Sequence, residues 1–198
     1  MTKNRLIAGV ALIVVLGLVG AIAAFVVDSE QSPEAVTSLS IRGKVVVEAY
    51  HYNEATGTYD RFYYYESSNT ITIIGRDYIA QQLGGTPSDE AKWISLSVNT
   101  ADPPPNTWEE LGGGADDEIV ADGLERAVGT YAHTAGTNTW TIEAEFTASA
   151  THTDVQQTGL QWVVTVGSNG NLMAANHFTP VTLTSGDTLT ITWELTLT

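Results

Sequence analysis

The stretch TLTITWELTLT (residues 188–198) alternates without a break: Leu189, Ile191, Trp193, Leu195 and Leu197 point one way, and Thr188, Thr190, Thr192, Glu194, Thr196 and Thr198 point the other. A period of two is the signature of a β-strand with one face in a core and one in water. The pattern repeats upstream, where Trp140, Ile142, Ala144, Phe146 and Ala148 alternate with Thr139, Thr141, Glu143, Glu145 and Thr147. Leu160, Trp162, Val164 and Val166 suggest a further strand, followed by a Gly167-Ser168-Asn169-Gly170 turn and the strand-like NLMAANHF at 171–178.

Towards the N-terminus, SLSIRGKVVVEAYHY (38–52) and TYDRFYYY (58–65) flank the turn-forming NEATG (53–57) and predict a hairpin. NTITII (69–74) is strand-like. GRDYIAQQLGG (75–85) places Tyr78, Ile79, Gln82 and Leu83 at helical spacing and stops at Gly84-Gly85. KWISLSV (92–98) sets Ile94, Leu96 and Val98 against Trp93, Ser95 and Ser97. Residues 99–125 read as loop, with DPPP at 102–105 and GGG at 112–114. Eight or nine short strands and one short helix predict a mainly β, antiparallel β-sandwich or jelly-roll-like domain. Its expected core is Trp93, Trp140, Phe146, Trp162 and Trp193 with the aliphatics between them.

Residues 6–27, LIAGVALIVVLGLVGAIAAFVV, are 22 consecutive apolar residues. As a helix they would span roughly 30 Å, the hydrocarbon thickness of a bilayer. Lys3 and Arg5 precede the run while Asp28, Glu30 and Glu34 follow it, so the N-terminus is expected in the cytoplasm and the rest outside. A secretory signal cut before Ala24, after Ala21-Ile22-Ala23, is the alternative, and prepilin-type processing a third. The expected organisation is a membrane segment at 1–27, a polar linker at 28–38 and an extracellular β domain at 39–198.

The chain has no cysteine, which excludes disulfides and thiol chemistry. Its net charge of −15 comes from 23 acids set against only eight Lys plus Arg. So few bases argue against nucleic-acid partners and against docking on anionic lipid headgroups. Thr carries much of the polarity, with 27 residues, 18 of them after position 129.

Motifs for chemistry are sparse. His51, His133, His152 and His177 form no metal-ligand spacing, and no nucleophile elbow or phosphate loop is present. Asp116, Asp117, Glu118 and Asp122, with Glu125 close by and glycines before them, are the candidate Ca²⁺ ligands. A solvated acidic loop, with Glu125 pairing to Arg126, is the competing reading. Tyr50, Tyr52, Tyr59, Tyr63 and Tyr64 on the first hairpin are the candidate binding residues, for stacking on sugars or anchoring a partner protein. Alternation along the strands sends about half of the hairpin's aromatics to the core.

The order NTITIIGRDYIAQQLGG (69–85), WISLSV (93–98), GLERAVGT (123–130) and TGLQWVV through LMAANHFTPVTLTSGDTLTITWELTLT (158–198) resembles tail-associated structural proteins of tailed phages and membrane-tethered archaeal surface or provirus proteins. The resemblance covers about residues 69–198 and implies a structural or attachment role with no catalytic residues. The phage versions usually have no leading membrane helix, so residues 1–30 point to the archaeal, membrane-tethered form or to a virion protein of an enveloped virus. The expected function is a non-enzymatic surface protein, a subunit of a filament, envelope or virion, that self-associates through strand edges. A monomeric adhesin-like module for a glycan or receptor is the alternative.

Overall fold

The computed structural model describes residues 40–86, 89–114, 117–167 and 170–198. The expected membrane segment and linker (1–27 and 28–38) lie outside the described residues. Among the described residues no helix is long and apolar enough to cross a membrane.

Among the described residues, ten strands form two antiparallel five-stranded sheets. They are β1 (Ile41–Asn53), β2 (Thr58–Ser68), β3 (Thr70–Ile71), β4 (Trp93–Ser97), β5 (Ala127–Val128), β6 (Thr130–His133), β7 (Thr139–Thr147), β8 (His152–Gln161), β9 (Leu172–Leu183) and β10 (Thr188–Leu197). The first sheet has the order β2-β1-β10-β7-β6 and the second β3-β9-β8-β4-β5. Pairings nest: the first strand joins the last, β3 joins β9, β4 joins β8 and β6 joins β7.

The alternation at 188–198 does what its period demands. β10 lies at the centre of the first sheet, with Trp193 level with Val45 on one side and Ile142 on the other. Leu189, Ile191, Trp193 and Leu195 are wholly buried, while Thr190, Thr192, Glu194 and Thr196 stay half-exposed on the outer face. Across from them, Ile94, Leu96, Leu160, Ala174 and Phe178 of the second sheet close the same core.

The second sheet departs from the simple pattern. Every residue of β8 from Val155 to Gln161 is buried, polar ones included. The reason is a second cover. Leu111, Leu172 and Ala175 pack with Trp108 and Ile74 on the outer face of this sheet, beneath the loop after β4. Gln157 donates to the Ala101 carbonyl and Ser97 to the Asp117 carbonyl, tying that loop down. A strand covered on both faces loses its polar–apolar alternation. The strand expected at 160–166 is accordingly corrected to His152–Gln161, and Val164 lies outside it, exposed.

The core prediction is also refined. Trp193 and Phe146 are fully buried, whereas Trp140 and Trp162 pack at the margin and Trp93 is half-exposed. Trp162 stacks on Tyr78 with ring centroids 4.4 Å apart.

Helix α1 (Ile73–Gly84) starts where the hydroxyl of Thr72 accepts from the Gly75 N–H and ends at Gly85 in the left-handed region. Thr72 also donates to the Leu172 carbonyl, so the cap fastens the helix to β9. The fit leaves no room for a side chain at position 75, where a Cβ would stand 2.0 Å from the Met173 carbonyl oxygen. Among its described residues, the loop expected at 99–125 contains one 3-10 turn, Leu111–Gly113.

Candidate interaction face

The β1–β2 hairpin carries the candidate tyrosines. Its turn is held by Asn53, whose side chain accepts from the Ala55 N–H and donates to Asp60, and whose carbonyl accepts from the Gly57 N–H. Gly57 has φ of 70°, a conformation a side chain would strain. This network makes the tip a fixed mount rather than a loose loop.

Register then decides which way each tyrosine looks. Val45, Val47 and Ala49 face the core, so Glu48, Tyr50 and Tyr52 lie on the outer face. Their neighbours across the pair are Tyr64, Arg61 and Tyr59. A bulge sets both Arg61 and Phe62 against Tyr50 and adds local twist. Tyr52 and Tyr59 meet with centroids 5.3 Å apart. Exposure is 44% for Tyr52, 51% for Tyr59, 49% for Phe62 and 52% for Tyr64. Four of the five expected binding tyrosines (Tyr50, Tyr52, Tyr59 and Tyr64) therefore share one outward face.

Tyr63 is turned the other way. Its ring meets Phe178 edge-on and its hydroxyl donates to the Thr179 carbonyl, sealing β2 against β9. Burial pushes its phenol well above the ordinary range. Asn176 completes the seam by donating to Ser67 and to the Ser68 carbonyl.

Charge is threaded through the outward face. The Arg61 guanidinium lies 5.1 Å from the Tyr64 ring centroid and binds Glu48. Tyr64 donates to Glu66, which also binds Lys44. The Tyr64 hydrogen bond, then Lys44, hold the Glu66 carboxyl below its usual range. Burial, then the adjacent Glu48, push the Tyr50 phenol up. Flat aromatic surfaces flanked by donors and acceptors can stack on a sugar ring or anchor a protein partner.

The candidate calcium ligands are not gathered. Asp116 lies outside the described residues. Glu118 is buried and both its oxygens are taken by Arg126, at 2.9 and 2.5 Å. Asp122 accepts from His152 at 3.2 Å, and Asp117 lies 3.5 Å from the Asn99 amide. No group of three or more potential ligands converges among the described residues. Arg126 pairs with Glu118 in place of the adjacent Glu125.

The histidines are dispersed as single contacts. His51 binds the buried Asp187 at 2.5 Å, His177 lies 3.5 Å from Asp102, and His133 meets the Thr137 carbonyl. The His51–Asp187 pair and the Arg126 contacts to Val163 and Thr165 carry no sequence signal, since each joins residues far apart in the chain. Comparison of the chain with known protein families, curated proteins and solved structures returned no match.

Proposed function

We propose that the chain is a non-enzymatic structural protein of a surface assembly. In this reading the apolar run 6–27 tethers it to a membrane, N-terminus inside, with secretion after cleavage before Ala24 as the variant route. The β domain stands outside and meets its neighbours through the hairpin face. The two sheets form a jelly-roll-like sandwich in this reading, which the nested strand pairing, first with last, supports.

One observation carries the proposal. Tyr52, Tyr59, Phe62 and Tyr64 are about half exposed at one end of a rigid hairpin, while the outer face of β10 beside it carries Thr and Glu. Exposed aromatics clustered beside a hydroxyl-rich strand face mark a contact site. The resemblance of residues 69–198 to phage tail-associated and archaeal surface proteins points the same way. Strand edges add to it: β6 is an edge strand with all four residues exposed.

Sedimentation and electron microscopy of the purified full chain test the proposal. Regular multimers are expected, and a strictly monomeric, evenly dispersed particle overturns it. A second reading, a monomeric glycan- or receptor-binding module, is favoured by the Arg61–Tyr64 pairing beside Glu48 and Glu66, which suits sugar hydroxyls. Glycan-array binding that Tyr59→Ala and Tyr64→Ala abolish would select it.

A further inference from the structure

We infer that copies of this chain associate head to tail, the aromatic hairpin tip of one seating in an apolar groove at the opposite end of the next. The inference rests on the assembly reading above and adds the geometry of the contact. The groove is a cavity of about 570 Å³ between α1 and the far end of the first sheet. Trp140, Met173 and Leu195 line it, and Leu83 and Tyr131 on its walls are 68% and 62% exposed.

Tip and groove are the two ends of one strand. Ile41 opens β1 and lines the groove, whereas Tyr52 closes β1 beside the turn. The eleven steps from Ile41 to Tyr52, at about 3.3 Å each, set them about 36 Å apart. Surfaces that differ and lie at opposite ends make a heterologous contact, so each added copy presents a fresh groove until the rotation between copies closes a ring.

Charge selects a second copy as the occupant. From residue 40 onward the chain holds twenty acids and only six bases. Two of those bases, Arg42 and Arg76, border the cavity next to the groove, while Lys92 in the groove itself is paired with Glu90 beside it. Among the described residues, Arg42 and Arg76 enter no ion pair. The tip offers the complement, with Asp60 next to Tyr59 and Glu54 in the turn, and among the described residues neither enters an ion pair with a base. An acidic aromatic knob thus matches an apolar hole flanked on one side by Arg42 and Arg76 of the same molecule.

The absence of native cysteine supplies the test. Full chain carrying Tyr59→Cys is mixed with full chain carrying Leu83→Cys and oxidised, beside each variant alone. A second pair, Tyr52→Cys with Tyr131→Cys, guards against a variant that fails to fold, and far-ultraviolet circular dichroism checks all four. The mixture is expected to give the cross-linked dimer and each single variant little. Adding Arg42→Glu and Arg76→Glu to the groove partner should cut the yield by about tenfold. Tip-to-tip dimers from Tyr59→Cys alone, or a mixture no better than its parts, would overturn the head-to-tail contact while leaving assembly by another surface standing. Chains that remain monomeric in sedimentation would remove both.

Discussion

Arg126 grips Glu118 through two parallel hydrogen bonds, and both side chains are 3% exposed. The same guanidinium donates to the Val163 and Thr165 carbonyls, so one cation organises the 118–126 stretch and the turn after β8 together. Removing one member of a buried pair strands the other's charge, which costs about 3–5 kcal/mol. Glu118→Gln is expected to lower stability by that amount in denaturant titrations. Replacing both, as Glu118→Leu with Arg126→Met, should recover only part, because two backbone carbonyls lose their donor. With both Glu118 oxygens engaged, millimolar Ca²⁺ is expected to leave the melting temperature unchanged. A rise that grows with calcium concentration would place the ion on the acidic stretch.

Core depth differs sharply between two tryptophans of similar sequence context. Trp193 sits mid-strand between Val45 and Ile142 with no exposure, while Trp93 starts a shorter strand and is half-exposed. Trp193→Ala is expected to cost about 3–5 kcal/mol, near the limit of what a domain of this size tolerates. Trp93→Ala should cost clearly less. Equal losses in urea midpoints would mean that Trp93 is as deeply buried as Trp193.

The contrast between those strands explains what alternation could and could not reveal. β10 and β7 each have one wet face, so hydrophobicity at period two exposes them directly, and the hairpin turn at 53–57 announces β1 and β2. β8 is covered on both faces, and its buried Gln156, Gln157, Thr158 and Gln161 look like surface residues when only the sequence is read. The cover itself, Trp108 and Leu111, lies in a segment rich in Pro and Gly that has no period at all. The tyrosine face was legible as a cluster. Its division into outward Tyr52, Tyr59 and Tyr64 and inward Tyr63 depends on register and on the bulge opposite Tyr50.

Asp187 gives the fold a pH dependence. It is 3% exposed, accepts from the Thr184 N–H at 2.7 Å and hydroxyl at 2.9 Å, and binds His51. Burial raises its pKa, but the Thr184 and His51 hydrogen bonds outweigh that and hold it below the ordinary carboxylate value. A group depressed in the folded state stabilises above its unfolded pKa of about 3.9, and that contribution fades as acid is added. Asp187→Asn should cost about 1–3 kcal/mol near neutrality, with the gap to wild type narrowing below about pH 4. Thermal melts across that range measure it. A gap that stays constant into acid would show that the carboxylate charge has no part in the turn.

Neighbouring tyrosines on β2 should separate folding from association. Tyr59 is 51% exposed and touches Tyr52, whereas Tyr63 packs on Phe178 and ties β2 to β9. Tyr59→Ser is expected to shift stability by no more than about 0.5 kcal/mol, the usual range for a surface change. It should nonetheless weaken multimer formation strongly, because an exposed aromatic on a rigid mount makes an efficient anchor. Tyr63→Ala should act in the opposite sense: lost core area and a lost inter-sheet hydrogen bond cost about 3–5 kcal/mol by analogy with other large aromatic deletions. At temperatures where the variant remains folded, it should still assemble. Melting curves and sedimentation run on the same two samples decide the matter. If Tyr59→Ser unfolds the domain, or Tyr63→Ala dissociates the multimer without destabilising it, then the outward and inward roles assigned by the register are reversed.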